Sequence, residues 1–175
     1  MKKNGRYDAS KLVEAQFEPG SGGRVLRNVL GITRKREMDQ IEARELRRAS
    51  EEGIRIYHQD HRFTEVDIRR IHQIWLGPVY SWAGQYRNVN LAKAEFLFAA
   101  AGEVPRLMAE FEKDSLHQFT PCRFPSRADI VKAIALVHTE LMLIHPFRAG
   151  GTPPGGADGL AGGIATARFR KHQGT

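Results

Sequence analysis

Apolar positions fall into several blocks with different periods, and each block predicts an element. From about Met38 to Tyr57 good helix formers dominate, and Met38, Ile41, Ala49 and Ile56 make an imperfect apolar stripe that predicts one long helix. Thr64 and Asp67 have the spacing of a capping box, and Ile68, Ile71, Ile74 and Trp75 recur at helical spacing until Gly77-Pro78 stops the element. Between Trp82 and Ala101 the apolar residues Val89, Leu91, Phe96, Leu97 and Phe98 occur in short runs around Lys93-Ala94-Glu95, which predicts a β-hairpin. Helical spacing returns over Val104 to Phe119. In the last helix Ser126 is the cap, and Ile130, Ile134, Val137, Leu141 and Ile144 form an apolar face. Pro146 forbids continuation, so His145 is presented at a helix C-terminal end.

The flanks differ. Residues 1–33 are Gly-rich and polar with scattered apolar positions, which predicts an arm wrapped on a mainly α domain over 34–147. Residues 148–175 hold eight of the 17 glycines and few large apolar residues. Such a segment buries too little surface to offset its ordering entropy, and disorder is expected.

Composition narrows the function classes. A 175-residue chain that is 41% hydrophobic suits one globular domain. No apolar run approaches the ~18 residues of a membrane span, and no apolar stretch follows the basic start, so the expected location is the cytoplasm, with no membrane partner. The single Cys122 has no metal-ligand neighbours. The net charge of +7 is interleaved with acids in the first long helix, as on a solvated face. With no DNA- or RNA-binding signature, no specific nucleic-acid partner is expected.

The candidate chemistry lies at Leu143-Ile144-His145-Pro146-Phe147. A histidine there also suits the negative end of a helix, and Phe96 and Phe98 also suit simple hairpin packing. Three upstream segments add weight: Asp60-His61-Arg62-Phe63-Thr64, Trp82-Ala83-Gly84-Gln85-Tyr86-Arg87-Asn88-Val89-Asn90-Leu91-Ala92-Lys93, and Phe96-Leu97-Phe98-Ala99. Together they resemble the Fic (Fic/Doc) family, with its WAGxxRxVNxxK segment and the opening of its HPFx(D/E)GN(G/K)R signature, over roughly residues 24–147. The resemblance implies a Fic-type helical bundle with one β-hairpin flap, and transfer of AMP from ATP, with Mg²⁺, to a Ser, Thr or Tyr hydroxyl of a target protein. It implies His145 as general base, Phe147 as loop anchor, and Lys93, Gly150 and Gly151 beside the nucleotide. Glu95, Phe96, Leu97 and Phe98 would be the flap that docks the target. An inhibitory, antitoxin-like partner chain is a further implication; the family's inhibitory (S/T)xxxE(G/N) pattern has only the partial match Glu52-Gly53, with Arg48 in the hydroxyl position.

After Phe147 the pattern breaks. The family has an acid for Mg²⁺, a Gly-Asn-Gly turn for phosphates and an arginine, whereas this chain reads Arg148-Ala149-Gly150-Gly151-Thr152-Pro153. No metal ligand is assigned, and impaired activity is expected. Back-translating residues 148–170 and displacing the frame by one nucleotide permits, at every codon, GRVARLLAELMALQAGLPPLDFG. That string has the look of the helix following the family signature, which suggests a small coding deletion with a shifted frame. Without that helix, the face around Val137, Leu141 and Ile144 is expected to be partly exposed, favouring low solubility or a partner. Two other functions stay open: Doc-like phosphoryl transfer, and a catalytically dead module that binds a protein through the flap.

Overall fold

The computed structural model describes residues 12–93 and 95–148. The start of the arm, the tail beyond Arg148, and with it Gly150 and Gly151, lie outside the described residues.

Five helices and one small hairpin make up the described chain: α1 (Lys35–Ile56), α2 (Glu65–Leu76), β1 (Ala92–Lys93), β2 (Phe96–Leu97), α3 (Val104–Phe111), α4 (His117–Phe119) and α5 (Arg127–Ile144). A mainly α architecture with a single hairpin is what the periodicities predict. α1 starts three residues before the predicted stripe, and its outer face carries the i,i+3 and i,i+4 pairs Lys35–Asp39, Arg48–Glu45 and Arg48–Glu52. Such pairs add a few tenths of a kcal/mol each. Glu52 is therefore engaged along its own helix. The inner face buries Met38, Ala49 and, against expectation, Glu42. Glu42 is accommodated because its carboxylate accepts from Tyr80 Oη at 2.5 Å and its carbonyl accepts from Trp75 Nε1 at 3.0 Å.

α2 opens on the predicted capping box. The Thr64 side chain accepts from Asp67 N, and the Asp67 carboxylate accepts from Thr64 N. α2 then serves two cores. Trp75 and Leu76 join Met38, Ala49, Val79, Tyr80 and Trp82, together with Val25 and Leu26 from the N-terminal segment. Ile68 joins Phe63, Val104, Met108, Phe111, Leu116, Leu141, Ile144 and Phe147. The predicted helix over Val104–Phe119 is divided: α3 widens into a π-helical stretch, Glu112–Leu116, before the short α4. The stretch keeps Leu116 in the core and places Ser115 Oγ on the Glu140 carboxylate of α5.

α5 is capped by Ser126, whose side chain accepts from Asp129 N at 3.1 Å. Its buried residues are Ala133, Leu141 and Ile144, with Val137 partly buried against the second core. Val131, Leu136 and Leu143 of the same helix are exposed. The expectation of a partly exposed face is thus corrected for Leu141 and Ile144, which pack with α3 residues and Phe147, while Val137 is partly exposed. No described helix is long and apolar enough to cross a membrane.

Candidate active site

α5 ends at His145 in the left-handed conformation (φ 47, ψ 63), its N–H still donating to Leu141 O at 2.9 Å. A left-handed residue stops the helix and turns the chain; a residue other than glycine pays of order 1 kcal/mol for it. The turn is fastened from three sides. The Phe147 ring is buried and stacks on His72 at 4.1 Å, with Tyr86 at 5.9 Å. The Arg87 N–H donates to Pro146 O at 2.9 Å. Arg148 Nε donates to Glu14 O at 3.1 Å, tying the turn to the N-terminal segment.

His72 of α2 is buried beneath this turn. Its Nδ1 accepts from Gly84 N at 2.9 Å, and burial lowers the ring to about 3, so it is neutral. Position 84 requires glycine: φ is +78, and a Cβ there would lie 2.8 Å from Gln73 Oε1. The helical period carried the signal for His72, which lies one turn after the buried Ile68.

The hairpin faces this turn. Its register is Ala92↔Leu97 and Lys93↔Phe96, and Phe98 N donates to Leu91 O at 3.2 Å. Leu97 is 77% and Phe96 49% exposed, and Glu95 at the turn and Lys93 on β1 are exposed as well. Phe98 behaves differently. Its ring stacks on the His145 imidazole at 4.3 Å and 22°, while Phe96 meets Phe98 edge-on at 5.2 Å. The flap residues therefore divide into an exposed group and one ring lying on the histidine. Burial lowers the His145 imidazole to about 4, and the positive charges of Arg87, Arg148 and Lys93 push the same way. The imidazole is thus neutral at pH 7, in an electropositive surrounding that weakens its hold on a proton.

Comparison with known proteins interprets this geometry. The Fic/DOC family model matches residues 62–152, which takes in α2, the hairpin, α5 and the turn after it. The chain belongs to the Fic/DOC family. It is 30% identical over 134 residues to the probable protein adenylyltransferase y4lH of Sinorhizobium fredii, an alignment spanning 74% of this chain and 65% of that protein. Among solved structures it resembles the N-terminal Fic domain of a Bartonella effector protein from Bartonella sp. AR 15-3, with a TM-score of 0.68 and 20% identity over 95% of this chain and 74% of that one. It also resembles BepC from Bartonella tribocorum, solved with bound AMPPNP, with a TM-score of 0.68 and 18% identity over 90% of this chain and 79% of that one. The fold is therefore that of Fic domains, a helical bundle with a hairpin beside the histidine turn.

Mg²⁺ beside the nucleotide is an expectation of the resemblance, and it calls for carboxylate donors. Among the described residues no group of His, Cys, Asp or Glu could hold a metal ion. Residues 149–153 supply no carboxylate either. Glu14 is the acid that fastens the N-terminal segment here, and its carboxylate accepts from Asn88 N at 2.7 Å. Neither the described residues nor positions 149–153 therefore supply a donor set that fits magnesium. Sequence reasoning missed Glu14, Arg87 and the Phe98 stack. Arg87 had a signal as the arginine of the WAGxxRxVNxxK segment, and the Phe98 stack had one in the alternation that turns Phe96 and Phe98 to one side of the hairpin.

Proposed function

We propose that this chain carries the target-docking half of a protein adenylyltransferase site, with its nucleotide half degraded. The supporting observation is the stack of Phe98 on His145: one contact joins the proton acceptor to the strand along which a target segment would pair. In this reading the exposed edge at Phe96 and Leu97 pairs with an extended stretch of a target protein through backbone hydrogen bonds. The target's Ser, Thr or Tyr hydroxyl then lies at the imidazole, and neutral His145 accepts its proton. Lys93 and Arg148 supply positive charge for phosphate. What the residues do not supply is a metal ligand, so efficient AMP transfer is not expected of the chain as it stands.

A labelled-ATP assay tests the reading. Three proteins are compared: this chain, its His145→Ala variant, and a version in which the acid-Gly-Asn-Gly-Arg loop follows Phe147. Transfer of α-phosphate label by the third alone, lost again when His145→Ala is added, is the expected result. Labelling by the loop-restored protein that survives His145→Ala would remove the histidine from the reaction, and transfer of γ-label would indicate phosphoryl rather than adenylyl transfer. Titration of the unaltered chain with ATP separates a nucleotide-dependent role from that of an interaction module, which needs none.

A further inference from the structure

We infer that Arg87 is a positioning residue, whose buried guanidinium holds His145 and both roots of the flap as one unit. Only 1% of this residue is exposed. Its Nε donates to His145 O at 2.7 Å, Nη1 to Val89 O at 2.8 Å, and Nη2 to Ala99 O at 2.5 Å and Ile144 O at 3.2 Å. Two of these carbonyls belong to the end of the histidine helix. The other two, at Val89 and Ala99, stand on either side of the flap in the sequence. With the Arg87 backbone N–H on Pro146 O, one residue engages three consecutive carbonyls, 144 to 146.

The residue type follows from that task. The last carbonyls of a helix lack partners within it, and its C-terminal end favours a cation. A planar fork with five N–H donors reaches carbonyls on different segments; the three donors of an ammonium spread from one nitrogen and cannot. Burial also costs the guanidinium solvation, which lowers its affinity for its proton, while the Glu14 carboxylate acts in the opposite sense. A cation kept in such a place is held by the carbonyls it organises. Its charge, with those of Lys93 and Arg148, faces the imidazole, and Glu14 is the acid that acts on both arginines.

The chemical significance of the clamp rests on His145 being the proton acceptor, but the test needs no AMP transfer. In the folded wild-type chain, NMR is expected to show the Arg87 guanidinium protons exchanging at least tenfold more slowly than those of exposed arginines. In Arg87→Lys, which keeps a charge, the Phe98 ring-current shift on His145 is expected to vanish. Exchange at the Phe98 amide should rise tenfold or more, and the His145 titration midpoint should rise in part, as the imidazole loses the burial that is the main cause of its depression. In Arg87→Gln the midpoint is expected to climb from about 4 toward the ordinary 6.5 as well. The inference is overturned if amide exchange rises uniformly through the molecule while the His145 ring signals stay as in wild type. It is equally overturned, whatever the variants do, if the wild-type guanidinium protons exchange at solvent-exposed rates. Loss of AMP transfer from a loop-restored protein with these NMR signatures intact would instead count against the proposed function.

Discussion

At His145 the physical tension lies between burial and basicity. The unfolded imidazole takes its ordinary value of 6.5, whereas in the fold burial, then Arg87, Arg148 and Lys93, bring it to about 4, and His72 falls to about 3 by burial alone. Both groups are depressed, so between these values the unfolded chain binds more protons than the folded one. Stability is then full above pH 6.5 and falls as the pH drops through 6 and 5 toward 4. The thermal midpoint should decline over that range. It should decline less in His145→Asn, which tolerates the left-handed turn and removes one of the two titrations. Phe98→Ala opens the imidazole to water and is expected to raise its midpoint by about one unit or more, read from its ring proton shifts. An unchanged His145 titration in Phe98→Ala would show that the stacked ring contributes nothing to its burial. The sequence marks His145 because a proline follows it at a helix end. It gives no sign of Arg87's four acceptors, since backbone carbonyls at 89, 99, 144 and 145 converge only once the hairpin and α5 have packed.

Among the elements, legibility follows length and capping. α2 and α5 are readable at their starts because Thr64 and Ser126 each cap with an aspartate three residues on, a local contact independent of the rest of the fold. The hairpin is readable only as a region, since each strand pairs just two residues. The π-helical stretch after α3 was not readable, because the pull of Leu116 into the core outweighs the regular helical period there. α5 gives the most useful mismatch. The predicted face does give Val137, Leu141 and Ile144 to the core, but further apolar residues lie around the helix, and packing left Val131, Leu136 and Leu143 outside. Three such side chains on one helix favour association. In sedimentation velocity the unaltered chain should show concentration-dependent self-association. Leu136→Lys combined with Leu143→Glu should abolish it with little change in thermal midpoint, because neither side chain is buried. A wild-type chain that stays monomeric at high concentration would defeat this expectation.

At the scale of the whole molecule, the exposed arc of α5 and the altered text after Phe147 have a common explanation in the proposal of a displaced reading frame. The displaced string supplies the arginine that the present text lacks, and its leucines recur at the spacing of an amphipathic helix. Such a helix would add an apolar face next to α5, where Leu136 and Leu143 are now exposed. The gene sequence gives the first test: a coding frame whose codons do not permit the displaced string ends the proposal. The second uses protein in which the acid-Gly-Asn stretch and the displaced string replace the text after Arg148. That protein should bind Mg²⁺-ATP in calorimetry, where the present chain gives no heat, and should unfold at a higher temperature. The decisive comparison repeats Leu136→Lys with Leu143→Glu in both backgrounds. If the restored helix seats on α5, the pair costs about 2 kcal/mol or more there, by burying charge in a new interface, while it costs almost nothing in the present chain. Equal effects in the two backgrounds would mean that the displaced string does not cover this face, even if ATP binding is regained.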